Sequence, residues 1–281
     1  MFQPQQYQLL DFGFGKKWES FCGIDVVRSC PAADGIRPAG EFQFANRDDV
    51  AVFEKRAKAW ENLAMIPDPW TLSHGKMRFN LRPTPFGHLG IFCEQVLNWD
   101  WIDGLPCDLN GLQALNLFAY TGGTTIALAL RGASVVHLDS AKNVVAWARE
   151  NAKSSGLEQA PIRWIVDDAV KFLEREIRRG NKYDIVVADP PAIGHAGNKL
   201  TWKLDRDIER LTRLLAQVTS DSLSAVLLTC HTIGFNSNDL QLLLETQFSS
   251  RLPEHGEAGL MNLESRFGRS LNNGHFCRYH S

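Results

Sequence analysis

The stretch Leu115-Asn-Leu-Phe-Ala-Tyr-Thr-Gly-Gly-Thr124, continued by Ser134-Val-Val-His-Leu-Asp139, decides the fold. Two apolar runs of strand length each stop at a turn signal, Gly122-Gly123 after the first and Asp139 after the second. Residues 124–131 between them, rich in Ala and Leu, have helical texture. The alternation persists outward: runs at 113–118, 134–139, 162–167, 184–189 and 224–230 suit strands, and 124–131, 142–154, 170–179 and 206–219 suit helices. Strand and helix in turn at this spacing predict an α/β domain over 111–281, a doubly wound and mostly parallel sheet. A further helix at 240–248 and closing strands at 258–263 and 274–279 complete it.

Upstream the texture differs. From residue 1 to about 80 turn signals crowd the chain, among them Phe12-Gly-Phe-Gly15, Pro31, Asp34-Gly35, Pro38 and Gly40, with short runs at 23–27 and 40–44. Such punctuation predicts a small N-terminal β-rich accessory domain over 1–80. One helix is predicted inside it at 48–63, with Asp48-Asp49 at its start, Val52, Phe53, Arg56 and Trp60 near one face, and Pro67 beyond its end. Residues 81–110 read as a connector with an amphipathic, aromatic segment at 91–102. Its Phe92, Trp99 and Trp101 suit packing better than a base platform.

Composition sets the outer limits. Of 281 residues 44% are hydrophobic and 22% charged, as in ordinary globular proteins. The formal net charge of −2 supplies no broad basic field, so any nucleic-acid partner must meet a local face. The apolar runs fall short of the ~18–20 residues that span a bilayer, and the first residues lack a basic and then apolar leader pattern. These features predict a cytoplasmic protein without a membrane partner, as monomer or homodimer. The six cysteines form no CxxC pair and the eight histidines no HxxxH pair, so no metal site is expected and the cysteines should be reduced.

In an open α/β sheet the ligand sits at the carboxyl ends of the strands, near the switch point. The first turn, Phe118 to Gly123, lacks the GxGxxG that brings backbone against a pyrophosphate, which disfavours a dinucleotide. Asp139, ending the second strand, can accept from two ribose hydroxyls. Asp167-Asp168, after the third, can accept from an adenine amine. Ribose and adenine acceptors with no phosphate cradle fit S-adenosylmethionine. Standing alone, Asp139 could equally cap the next helix, and Asp167-Asp168 could be a solvated turn. Asp189-Pro190-Pro191 ends the fourth strand, where two prolines remove backbone donors and leave carbonyls beside a carboxylate. A base nitrogen donating to Asp189 would aim its lone pair at a methyl sulfonium. The plainer alternative is a turn with a capping Asp.

From Leu115 to Cys230 the chain resembles class I S-adenosylmethionine-dependent methyltransferases, whose fold is Rossmann-like, and is similar to the bacterial 23S ribosomal RNA large-subunit branch. The resemblance is carried by Leu117-Phe-Ala-Tyr-Thr-Gly-Gly123, Val136-His-Leu-Asp-Ser140, Trp147-Ala-Arg-Glu-Asn151, Val166-Asp-Asp-Ala169, Tyr183-Asp-Ile-Val-Val-Ala-Asp-Pro-Pro191 and Leu227-Leu-Thr-Cys230. Upstream, Gly90-Ile-Phe-Cys-Glu-Gln95 resembles a segment flanking the cofactor, with Val96 where an Arg is usual. No RNA-binding PUA domain is evident. The resemblance implies that Tyr120, Thr121 and Gly122 border the methionine part, with Phe118, Ser140 and Gln95 alongside. It implies too that Asp139 holds the ribose, Asp168 with Asp167 the adenine edge, and Asp189 with Pro190 the target, Asp189 also bordering the cofactor.

Two departures from the family pattern bear on the chemistry. Ala192 follows the prolines where nitrogen-directed DNA enzymes place a stacking aromatic, and that loop holds no Pro-Cys pair. Cytosine C5 chemistry would have to use Cys230, in Thr229-Cys-His231, as thiolate nucleophile with help from His231; a buried reduced cysteine is the alternative. After the Gly194–Gly197 loop, Trp202 could stack a base while Lys203 and Arg206 meet phosphates, or the segment could be a helix start with one packed Trp. Residues 174–179 suit a solvated helix face. The expected function is methyl transfer from S-adenosylmethionine to a base in RNA, most plausibly ribosomal. A small-molecule or protein acceptor, and a non-catalytic cofactor-binding assembly protein, are the competing readings.

Overall fold

The structure is a computed structural model that describes residues 1–40, 48–196, 199–232 and 234–281. Most of the expected run at 40–44, and Gly197 of the glycine-rich loop, lie outside the described residues. The chain divides into two compact units, one of Met1–Leu97 with Asn262–Asn273 and one of Asn98–Met261 with Gly274–Ser281.

The first unit is β-rich. Strands β1 (Tyr7–Gly13), β2 (Lys16–Phe21), β3 (Ile24–Ser29), β4 (Val50–Glu54) and β5 (Ala59–Glu61) form one sheet in that order. Strands β6 (Thr71–His74) and β7 (Met77–Asn80) form a separate hairpin. The helix expected at 48–63 is absent, because β4 and β5 occupy its place. Val50, Ala51, Val52 and Phe53 are all buried, and β4 pairs in parallel with β3. Phe53 and Trp60, whose spacing mimics one helix face, are cross-strand partners with ring centroids 5.3 Å apart. β-branched valines favour the pleated surface, and the cross-strand aromatic pair completes the hairpin.

Helix α1 (Val96–Asp103) carries the chain into the second unit. There β8 (Gln113–Leu117), α2 (Gly123–Leu130), β9 (Ser134–Asp139), α3 (Lys142–Ser154), β10 (Ile162–Val166), α4 (Ala169–Arg179) and β11 (Ile185–Ala188) alternate as predicted. A short hairpin, β12 (Ile193–Ala196) and β13 (Lys199–Lys203), follows where a glycine-rich loop was expected. Then come α5 (Leu204–Gln217), β14 (Ala225–Cys230), α6 (Ser237–Phe248), β15 (His255–Glu264) and β16 (Ser270–His280).

The large sheet runs β10-β9-β8-β11-β14-β16-β15. The pairings from β10 to β14 are parallel and β16 returns antiparallel to β14. Burial explains the composition: β11 and β14 are buried at every position, as parallel strands covered on both faces must be. Leu115, Leu117, Phe172, Leu211, Val226 and Leu244 share one core, each large side chain contributing about 1.5–3 kcal/mol. The strand order reverses direction between β8 and β11, which makes their carboxyl ends the switch point.

Candidate functional site

The first turn leaves β8 through two non-glycine residues in the left-handed region, Phe118 (φ 55°) and Tyr120 (φ 48°). Each costs on the order of 1–3 kcal/mol and persists only where its surroundings fix it. Here Ala119 N–H donates to the Leu138 carbonyl at 3.0 Å, and Tyr120 N–H donates to Asp139 Oδ2 at 3.0 Å. Gly122 (φ 89°) then starts α2, and Gly123 is a close approach: a Cβ there would lie 2.3 Å from Trp99 Cζ2. Below the turn, Asn116 Nδ2 donates to Thr125 Oγ1, which meets His137 Nδ1, both at 2.9 Å. Burial, then Arg149, lowers the His137 pKa to about 3, so its imidazole is neutral. This network escaped the sequence reading; its signal was three polar residues at inward positions of apolar runs.

Asp139 organises the turn. Its Oδ1 accepts from Ala141 N–H and its Oδ2 from Tyr120 N–H, each at 3.0 Å, and its carbonyl accepts from Asp167 N–H at 3.1 Å. Burial raises its pKa, and the backbone donors of Ala141, Tyr120 and Ser140 oppose that rise. A carboxylate has about four acceptor positions, so these three backbone donors leave capacity for a further one. Ser140 itself is exposed.

The paired aspartates after β10 divide their tasks. Asp168 caps α4, its Oδ1 accepting from Lys171 N–H at 2.9 Å. Asp167 forms an ion pair with Arg175 and accepts from Asp168 N–H at 2.8 Å. Thr121 is buried and its carbonyl accepts from Asn151 Nδ2 at 3.0 Å. Gln95 belongs to the other unit, buried in the 3-10 turn Cys93–Gln95.

Asp189 follows β11, its N–H donating to the Leu117 carbonyl at 3.4 Å. Its Oδ1 accepts from Thr229 Oγ1 at 2.5 Å and lies 3.3 Å from His231 Nε2. These two positioning contacts were missed by the sequence reading, although register supplies them: Ala188 pairs with Leu228, so the next residues face each other. Pro190 is buried, and the Pro191 carbonyl is engaged by Trp202 Nε1 at 2.7 Å.

Trp202 corrects an expectation. It is 5% exposed, lies in the core and sits 5.1 Å from the Phe118 ring, so it anchors the loop and offers no stacking face. Lys203 pairs with Asp205 at 2.8 Å and Arg206 with Asp207 at 2.6 Å, all on or beside the first turn of α5. Cys230 is fully buried, its Sγ accepts from Thr232 N–H at 3.4 Å, and burial raises its pKa. Those are the properties of a packed thiol rather than of a thiolate poised for attack. Among the described residues no cluster of His, Cys, Asp or Glu could hold a metal ion, and no helix is long and apolar enough to cross a membrane.

Comparison with known proteins places this geometry. Residues 49–247 match the S-adenosylmethionine-dependent methyltransferase family, well over half of the chain. The chain belongs to that family. It is similar to the S-adenosylmethionine-dependent methyltransferase of Agrobacterium tumefaciens, 31% identical, over 98% of this chain and 90% of that one, with a TM-score of 0.88. A methyltransferase structure from Streptococcus mutans shares the fold at 16% identity, TM-score 0.73, over 97% of this chain and 75% of that one.

Among curated relatives, the ribosomal RNA large subunit methyltransferase K/L of Chromohalobacter salexigens is 28% identical over 247 residues. The match covers 81% of this chain and 29% of that protein. The matches to these curated relatives cover less than a third of each relative's length. The family resemblance, the ribosomal RNA branch and the doubly wound fold expected from sequence are all supported.

Proposed function

We propose that this methyltransferase acts on a nitrogen of a base in RNA, ribosomal RNA being the substrate class, in the cytoplasm. The observation that carries the reading is the set of carboxylates, Asp139, Asp167, Asp168 and Asp189, at the carboxyl ends of the parallel strands β9, β10 and β11, with β8 and its glycine turn between β9 and β11. The choice of RNA rests on the ribosomal RNA relatives. The donor set fits S-adenosylmethionine: Asp139 accepts backbone donors at both oxygens and keeps acceptor capacity for a ribose hydroxyl. Asp168 with Asp167 would take the adenine edge, and Tyr120, Thr121 and Gly122 the methionine part, with Phe118 and Ser140 flanking. Once bound, the cofactor supplies an electrophilic methyl group on sulfonium. Asp189, held by Thr229 and His231, accepts from the target amine, directs its lone pair and takes the proton that the nitrogen sheds. The packed Cys230 favours this nitrogen chemistry over C5 attack.

The test is methyl-labelled cofactor with undermethylated RNA, followed by nucleoside mass spectrometry. A nitrogen-methylated base supports the proposal. Label in protein or small molecules only overturns the RNA substrate, and 5-methylcytidine lost on Cys230→Ala overturns the nitrogen assignment.

Asp139→Ala is expected to weaken S-adenosylhomocysteine binding about 10- to 100-fold by calorimetry, since ribose bonds to a charged group are worth about 1.5–3 kcal/mol and the turn loses its anchor. Ribose donors favour the ionised carboxylate, so binding releases the proton and affinity should fall as pH drops through the Asp139 pKa. Burial places that fall above the ordinary Asp value of 3.8. Asp139→Asn should flatten the profile; an unchanged profile would remove the ribose assignment.

A further inference from the structure

The N-terminal unit carries a second feature, built on the turn Ser265-Arg266-Phe267-Gly268-Arg269. The turn is internally bonded: Ser265 N–H donates to the Arg269 carbonyl at 2.8 Å, Gly268 N–H to the Ser265 carbonyl at 2.9 Å and Arg269 N–H to Ser265 Oγ at 3.2 Å. It is fixed along β1, where Arg266 N–H donates to the Leu9 carbonyl at 3.0 Å.

The Arg266 guanidinium lies 5.1 Å from the Trp18 ring centroid and 4.9 Å from that of Phe267. Trp18 is itself fixed, its Nε1 donating to Asp25 at 3.0 Å. Among the described residues no carboxylate pairs with Arg266. Aromatic neighbours hold the cation by its faces and leave its N–H edges for an outside acceptor. The contrast is Arg269, which lies over Phe12 at 4.6 Å and also meets Asp11 at 3.6 Å, so its charge is largely answered from within. Phe267 is 47% exposed at the tip of the same turn.

We infer that this turn is a contact for single-stranded RNA, Arg266 taking a backbone phosphate and Phe267 stacking on a base. A planar guanidinium edge matches two phosphate oxygens, and an aromatic face accepts any base. The pairing supplies the local basic face that a chain of net charge −2 requires. It also gives the N-terminal unit a substrate-binding role. This inference rests on the RNA reading of the proposed function.

The test is fluorescence anisotropy of a labelled single-stranded oligonucleotide of ribosomal sequence, titrated between about 50 and about 200 mM salt. Arg266→Gln is expected to weaken binding about 5- to 10-fold and to reduce the slope of log K against log salt by about 0.7. Phe267→Ala should weaken it about 5-fold or more with the slope unchanged. Arg266→Lys, which keeps the charge if the glutamine variant folds poorly, should keep the slope and lose affinity. S-adenosylhomocysteine affinity should be the same in every variant. If the wild type binds RNA and all three variants match it, the inference fails. If the wild type binds no RNA, the RNA reading fails and this contact falls with it.

Discussion

Replacing Asp189 with alanine is expected to slow methyl transfer about 100- to 1000-fold in single-turnover assays while S-adenosylhomocysteine affinity changes less than about threefold. The carboxylate stands at the end of β11, partly buried, with Thr229 Oγ1 at 2.5 Å and His231 Nε2 at 3.3 Å on the same oxygen. Removing one preorganised acceptor of developing charge from such a site typically costs about 2.7–4 kcal/mol in the transition state. The cofactor's ribose and adenine are assigned to other strand ends, which is why binding should survive. Asp189→Asn keeps the shape and one carbonyl acceptor but cannot take a proton, so it should recover orientation and not proton transfer. Thr229→Val should produce a smaller loss, because it only frees the carboxylate to turn. Full activity in Asp189→Ala would show that the target amine is held elsewhere.

How much of this was legible in the sequence follows from where each residue's constraints lie. Helix α3 matches the reading at Lys142–Ser154, and β9 at Ser134–Asp139, because each element buries a stripe or run whose period is local. The helix expected at 48–63 failed because Val52, Phe53 and Trp60 satisfy helical spacing while Phe53 and Trp60 are partners across a hairpin. Periodicity cannot distinguish the two; parallel pairing with β3, a long-range contact, decides. The same limit governs the site. Asp139, Asp168 and Asp189 were found as strand-end carboxylates, but the Thr229 and His231 contacts depend on the register of β11 against β14. For Trp202 the sequence leaves stacking and packing open, because its burial is set by Phe118 and Pro191, contributed by other parts of the second unit. Asp168 shows the converse: where the sequence offers an adenine acceptor or a solvated turn, it caps α4, and capping uses only part of its acceptor capacity.

The largest stability effect is expected at Glu19, in the sheet that carries Trp18. Glu19 is 0% exposed and receives Arg28 Nε at 2.5 Å, Arg28 Nη2 at 3.1 Å and Tyr7 Oη at 2.9 Å, with Lys17 Nζ at 3.1 Å. Burial alone would raise its pKa, but Arg28 and Lys17 outweigh burial and hold it at about 2 against an ordinary 4.5. A depressed carboxyl pKa contributes stability that is complete above the ordinary value and lost as pH falls through the folded one. Linkage makes that contribution about 3 kcal/mol at neutral pH. Glu19→Ala does more than remove it, because Arg28 and Lys17 remain buried without a counter-charge. The expected cost is about 3–5 kcal/mol, read as a lower urea midpoint for the N-terminal unit. Glu19→Gln keeps the packing and an acceptor, so it should cost less and abolish the part of the acid-stability curve between about pH 4.5 and about pH 2. An unchanged midpoint in Glu19→Ala would mean that both cations find water or another acceptor once the carboxylate is gone. Because Trp18 and Glu19 are adjacent on β2, loosening this cluster should also release the indole against which Arg266 rests. RNA affinity should therefore decline with the stability of this unit, at urea concentrations where circular dichroism still reports the α/β unit folded.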